Sequence, residues 1–187
     1  MKYEVTLKQL LEANAPFRAY NRVVRVAQDL EFTKDDELRT GYLRSKITSP
    51  ISLIDIADDN LKNAVWCLRL VPGAERDARM FAIWYTMEAI GARIKEEKIA
   101  ASLLVAAGVA NGSVSDKERI AAYNEMIKEA DVDPYHFIAE DVVSNTLQKD
   151  AFDSAMLSVT HMLCYKPRML RRCTNMFLSM CDGVVPW

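Results

Sequence analysis

The sequence predicts an all-α fold: a single-domain bundle of about eight or nine helices around a buried central helix near residues 74–97. Three observations carry that prediction. Apolar residues recur at helical spacing along the whole chain. Helix start and stop signals punctuate the pattern. Only six glycines and six prolines occur in 187 residues, and no turn dipeptide lies between alternating runs, so a turn-rich β fold has little to build on.

Each element follows from local chemistry. Thr6 and Gln9 read as a capping box for a short helix, Leu7 to Glu12. Pro16 suits the first turn of a second helix that runs to Asp29 or Leu30. Thr33 before Lys34-Asp35-Asp36-Glu37 places an N-cap and three acids at the positive end of a third. Ser49-Pro50 can open another short element, although Ile51 to Ile54 can equally be extended. Asp58-Asp59-Asn60 caps a helix from Leu61 to Val71 that Pro72-Gly73 stops. The longest segment runs from Ala74 to Glu97, with a continuation toward Ala107. Its middle, Met80-Phe81-Ala82-Ile83-Trp84-Tyr85, is apolar around the whole circumference, as in a helix buried on all sides. Asn111-Gly112-Ser113 is the clearest loop, and 111–115 is the one candidate sub-boundary in a domain spanning 1–187. Ser115 with Glu118 caps a helix from Asp116 to Ala130, and Asp133-Pro134 opens another through Leu147. Asp150 to Cys164 and Pro167 to Cys181 complete the set before Gly183, and the tail ending in Trp187 is either docked by its tryptophan or loose.

Composition narrows the function classes. With 24 Lys+Arg against 26 Asp+Glu the formal net charge is -2, neither the basic excess of most nucleic-acid binders nor the acidic excess of a charge mimic of DNA. A chain of this length buries roughly 70% of its unfolded surface, enough for a core without disulfides or metal. The longest apolar stretch, Ile99 to Ala110, falls short of the about 20 residues a membrane span needs. Met1-Lys2-Tyr3-Glu4 leads into an amphipathic segment rather than a signal sequence. Cys67, Cys164, Cys173 and Cys181 form no C-x-x-C pair and read as free, buried thiols of a cytoplasmic protein.

Two basic clusters are the directed polar signals. Arg18, Arg22 and Arg25, at i, i+4 and i+7, share one helix face opposite Phe17, Tyr20, Val24 and Ala27. They read as a stripe that docks an acidic partner or a phosphate backbone, or else as a solvated face paired with acids on neighbouring helices. Thr6 to Val24 also has the outline of a helix-turn-helix, but its turn, Asn14-Ala15-Pro16, lacks the usual glycine. Lys166, Arg168, Arg171 and Arg172 form the second cluster, at the start of the last helix, where cations oppose the helix dipole.

Other constellations give simpler readings. His161, Cys164, Cys173 and Cys181 have the count of a Cys3His zinc site, but Cys173 lies on an apolar stripe with Met169, Met176 and Met180, as core filler does. Glu129 to Glu140 imitates a calcium loop, yet Pro134 sits where that loop needs glycine, and Asp133 as an N-cap explains the same residues. No phosphate loop, dinucleotide fingerprint, nucleophile elbow or metalloprotease helix occurs, and only two histidines are present. The sequence therefore points to no cofactor, no metal and no reaction type. Asp59 to Pro72 and Asp153 to Pro167 share a plan, a proline-ended helix followed by an arginine-bearing one, at too irregular a spacing for a repeat array.

Asn63-Ala64-Val65-Trp66-Cys67-Leu68-Arg69, followed by Arg76-Asp77-Ala78-Arg79-Met80-Phe81-Ala82, is similar to a helix pair in small phage-encoded proteins of unassigned role. The resemblance covers about twenty residues and implies a helical accessory protein that acts on host machinery, with no implied site. The expected function is non-enzymatic binding of a protein partner through Arg18, Arg22, Arg25, Lys166, Arg168, Arg171 and Arg172. Nucleic-acid binding by the Arg18/Arg22/Arg25 face is the alternative.

Overall fold

The computed structural model describes residues 3–130 and 137–185, without the side chains of 58, 59, 129, 130, 137 and 138. The fold is all-α. Ten α-helices make up most of the described chain: α1 Leu7–Glu12, α2 Phe17–Ala27, α3 Lys34–Leu38, α4 Leu53–Cys67, α5 Glu75–Ile90, α6 Glu97–Ala110, α7 Asp116–Ala130, α8 Phe137–Thr146, α9 Ala151–Tyr165 and α10 Leu170–Cys181. Short 3-10 turns at Leu68–Leu70, Gly91–Lys95 and Pro167–Met169 precede α5, α6 and α10.

Local signals set most of these boundaries. The Thr6 and Thr33 hydroxyls accept from the amides of Gln9 and Asp36, whose own side chains accept from the Thr6 and Thr33 amides. Ser115 and Glu118 close the same box before α7, and the Asp150 carboxylate accepts from the amides of Phe152 and Asp153. Each box satisfies amide donors that a helix start leaves open.

The expected long central helix is two helices. α5 stops at Ile90 because Gly91 takes φ 56°, ψ -121°, a conformation reserved in practice for glycine, and the chain turns before re-entering α6. This division is one reason the described residues hold ten α-helices where about eight or nine were expected. The helix expected from Leu61 starts earlier, at Leu53, capped by the Ser52 hydroxyl. Its ladder breaks at Asn60, which is extended, and the Asn60 side chain accepts from the Asn63 amide to restart the second half. Of the two readings open for Ile51 to Ile54, Ile51 and Ser52 take the extended one and Leu53 and Ile54 the helical one: Ile51 and Ser52 form a two-residue strand (β2) paired antiparallel with Glu4 and Val5 (β1), a partner the sequence did not indicate. The expected Asp133-Pro134 helix start, most of the calcium-like loop and Trp187 lie outside the described residues.

Two apolar clusters meet on α5. The larger gathers α1, α2, α4, α9 and α10 around Leu10, Val24, Leu68, Phe81, Tyr85 and Phe177, all fully buried. The smaller gathers α6, α7 and α8 around Ile99, Leu103, Met126, Val143 and Leu147, with Ile83 of α5. The loop at 111–115 joins two helices of this one cluster. α5 is buried at Phe81, Ala82, Ile83 and Tyr85, whereas Met80 and Trp84 are half-buried at the cluster edges. Among the described residues, no helix is long and apolar enough to cross a membrane.

Two buried arginines tie the clusters together. Arg79 of α5 donates through Nη1 to the carbonyls of Thr146 (2.7 Å) and Gln148 (2.8 Å) and to Ser154 Oγ (3.3 Å), and through Nη2 to the carbonyl of Lys149 (3.0 Å). Arg119 of α7 donates through Nη1 to the Leu147 carbonyl (2.6 Å) and through Nε to Asp116 (2.7 Å). Both guanidinium groups meet the carbonyl end of α8, where the helix dipole favours a cation. Burial, followed by the nearby Arg119 charge, lowers the Arg79 pKa from its ordinary value.

Candidate binding face

The arginine stripe of α2 lies beneath residues 28–41, which fold back across it. Arg25 grips Asp36 with both arms of its guanidinium, Nε to Oδ2 at 3.0 Å and Nη2 to Oδ1 at 2.7 Å. Asp36 is buried at 1% exposure. The Arg25 guanidinium and the Thr33 amide hold its carboxyl well below the usual carboxylate range. Arg25 is thus committed within the molecule, in the manner of the paired-acid alternative.

Arg18 and Arg22 are held more loosely. Arg18 is exposed, and its Nε donates to the Glu37 carbonyl at 3.1 Å. The Arg22 guanidinium lies over the Phe32 ring, 4.2 Å from its centroid. Behind the stripe, α2 packs as expected through Tyr20 and Val24, while Phe17 is exposed and packs edge-on against Tyr42. The buried Asn21 accepts from the Leu43 amide and donates to the Gly41 carbonyl, which fixes residues 41–43 against α2.

Between α2 and the second half of α4 lies a cleft of about 360 Å³. Arg18, Arg22, Phe32 and the exposed Glu37 line one wall, Lys62 and Trp66 the other, and Met156 of α9 reaches it as well, so three cations face one carboxylate. Arg69 adds a fourth cation beside it, 5.0 Å from the centre of the Trp66 ring and 3.7 Å from Asp153. Among the described residues, no carboxylate pairs with Arg18, Arg22 or Lys62. A second cleft, of about 340 Å³, runs between α4, α9 and α10 and is lined by Ala57, Leu61, Leu163, Leu170 and Thr174. Asn60 and Lys62 border both clefts, so the two meet where the α4 ladder is broken.

The second basic cluster is split. Arg172 pairs with Glu88 of α5 at 2.7 Å, and Lys166 lines a separate cavity of about 230 Å³ with Arg93 and His161. Arg168 and Arg171 are exposed and have no ion-pair partner among the described residues.

The residues of the zinc alternative are not brought together. His161 is buried, with Nδ1 2.9 Å from the Tyr85 hydroxyl, and burial lowers its pKa. Cys173 and Cys181 lie in the core, where desolvation pushes both thiols up to about 12. Cys67 is buried with the same consequence, but Cys164, expected to be buried, is exposed at the α9 C-terminus. Among the described residues, no three side chains of His, Cys, Asp or Glu are grouped to hold a metal ion. Of the calcium-like segment, Glu140 accepts from Arg93 Nη2 at 2.9 Å.

Sequence reasoning missed Lys62, Phe32 and Trp66 as neighbours of the stripe. Asn63 and Trp66, from the stretch 63–82 singled out in the sequence, line the cleft together with the stripe residues Arg18 and Arg22. No family model, characterised protein or solved structure matches the chain.

Proposed function

We propose that this chain is a non-enzymatic, cytoplasmic protein-binding module that docks an acidic partner on the face formed by α2 and α4. The observation that carries the reading is the cleft between Arg18, Arg22 and Lys62, whose cations have no carboxylate partner among the described residues. Three cations against one lining carboxylate, Glu37, beside half-buried aromatic rings are the composition of a recognition face, where Arg and Trp anchors supply most of the binding energy. On the resemblance of residues 63–82, we take the partner to be a host protein met by a phage accessory protein. The buried thiols support a reducing compartment.

The test is joint reversal of Arg18, Arg22 and Lys62 to glutamate. Arg25 is left out because its reversal would set a second carboxylate against buried Asp36. Host protein captured by the parent chain is expected to be lost by the variant, with circular dichroism and melting temperature unchanged. Reversal of Lys166, Arg168 and Arg171 serves as the parallel control. Unchanged capture by the first variant overturns the reading.

Nucleic-acid binding is the second reading, favoured by the two aromatic rings set among cations, an arrangement that also suits stacked bases. It predicts affinity for duplex or single-stranded DNA that falls steeply with salt.

A further inference from the structure

Resting on the proposed docking face, we infer that its occupant is an acidic segment of a partner protein that also carries large aliphatic side chains, laid across α4 through both clefts. The two clefts differ in chemistry and share a border. The first sets Arg18 and Arg22, with Glu37 as its one carboxylate, beside Phe32 and Trp66; the second adds an aliphatic wall of Leu61, Leu163 and Leu170 opposite the polar Thr174. Lys62 and Asn60 stand at the junction.

Leu163 and Leu170 are each 42% exposed in a cleft that the core residues Ala57 and Leu61 also line. A partner's leucine or phenylalanine in that cleft removes apolar surface from water on both sides. A carboxylate one or two turns away along the same segment would then reach Lys62 or Arg22. Charge complementarity selects an acidic occupant over a basic one, because like charges across an interface cost several kcal/mol. The aliphatic half selects protein over nucleic acid: a phosphate backbone has nothing to place on Leu163 and Leu170, and its bases find their rings only in the first cleft.

The experiment pans the full-length chain against a displayed library of random peptides, then titrates the best enriched peptide, fluorescently labelled, against variants with unchanged circular dichroism. The expected result is enrichment of sequences that combine two or more acids with Leu, Ile or Phe. Binding should fall about tenfold or more in Lys62→Glu and by a similar factor in the uncharged Leu163→Ser. It should weaken with salt in the parent and less steeply in Lys62→Glu. Leu170→Ser repeats the apolar test should Leu163→Ser disturb the fold.

Loss of binding in Lys62→Glu with none in Leu163→Ser or Leu170→Ser overturns this inference and leaves the acidic docking face standing. Enriched peptides that lack acids overturn both. Absence of enrichment together with salt-dependent binding of a labelled oligothymidylate also overturns both and establishes the nucleic-acid reading.

Discussion

Two sets of arginines in this molecule invite comparison. Arg79 and Arg119 are buried and donate mainly to backbone carbonyls at the α8–α9 turn. Arg18, Arg22 and Arg25 lie along a helix face that looks, by spacing, like a surface stripe, and their partners grade from a chelated carboxylate to a ring to a single carbonyl. The first set has no freedom to bind anything else. The second is graded by its neighbours: Arg25 is spent on Asp36, while Arg18 and Arg22 keep donor capacity at the edge of a cleft. An arginine is available for recognition according to what covers it, and three arginines on one helix face divide two to one.

The largest effect is expected at Arg79. Arg79→Leu leaves the carbonyls of Thr146, Gln148 and Lys149 without their donor; that of Thr146 is buried, and an orphaned buried acceptor costs about 1–3 kcal/mol, while those of Gln148 and Lys149 lie nearer solvent. A loss of about 2–3 kcal/mol in urea denaturation is expected. Arg79→Lys should recover less than half, because a point charge cannot span the carbonyls that the planar fork reaches. A variant within 1 kcal/mol of the parent would break the contrast between the two sets.

Asp36 comes next. Its native pKa lies below the unfolded value of about 4, so its contribution is fully present above about pH 4 and is lost as pH falls through the native pKa. Asp36→Asn should lower the urea midpoint at neutral pH and flatten the slope of stability against pH below about 4. An unchanged slope would show that the Arg25 pair holds nothing together.

His161 sharpens the picture at milder pH. Burial depresses its pKa, so the neutral imidazole is the folded form and stability should decline as pH drops below about 6.5. His161→Gln, titrated in parallel, should lose that shallow step while keeping the Asp36 step. The smallest effect is expected at Arg18: Arg18→Glu should change stability by no more than about 0.5 kcal/mol, the usual range for surface substitutions away from caps and core. A larger loss would move Arg18 into the same class as Arg25.

Local chemistry was legible wherever the deciding atoms lie within one turn. Thr6 with Gln9, Thr33 before α3, and Ser115 with Glu118 announce themselves because cap and partner are three residues apart. Gly91 was not legible as a stop, since Met87 to Ile94 continues a helical apolar pattern through it and only the backbone angle reveals the break. Arg79 was not legible either. A charged residue in an apolar helix looks like an exposed one until the carbonyls that satisfy it, some 70 residues later in sequence, are in place. Half of the candidate face was legible, through Arg18 and Arg22. Lys62 and Trp66 joined it only through the packing of α4 on α2, a contact that no periodicity on either helix specifies.

The short pairing of Glu4–Val5 with Ile51–Ser52 has a kinetic consequence. It closes a loop of roughly 45 residues for two backbone pairings, and the entropy of such a closure must be met before those pairings return anything. Tyr3 reinforces the pairing by donating to Asp77 at the start of α5, a bond that requires α5 to be in place already. The N-terminal strand is therefore expected to join after the folding barrier has been crossed. Removing the Tyr3 hydroxyl should speed unfolding and leave the folding rate nearly untouched, a φ-value near zero, and the amides of 3–5 should exchange with solvent through a local opening well before the core does.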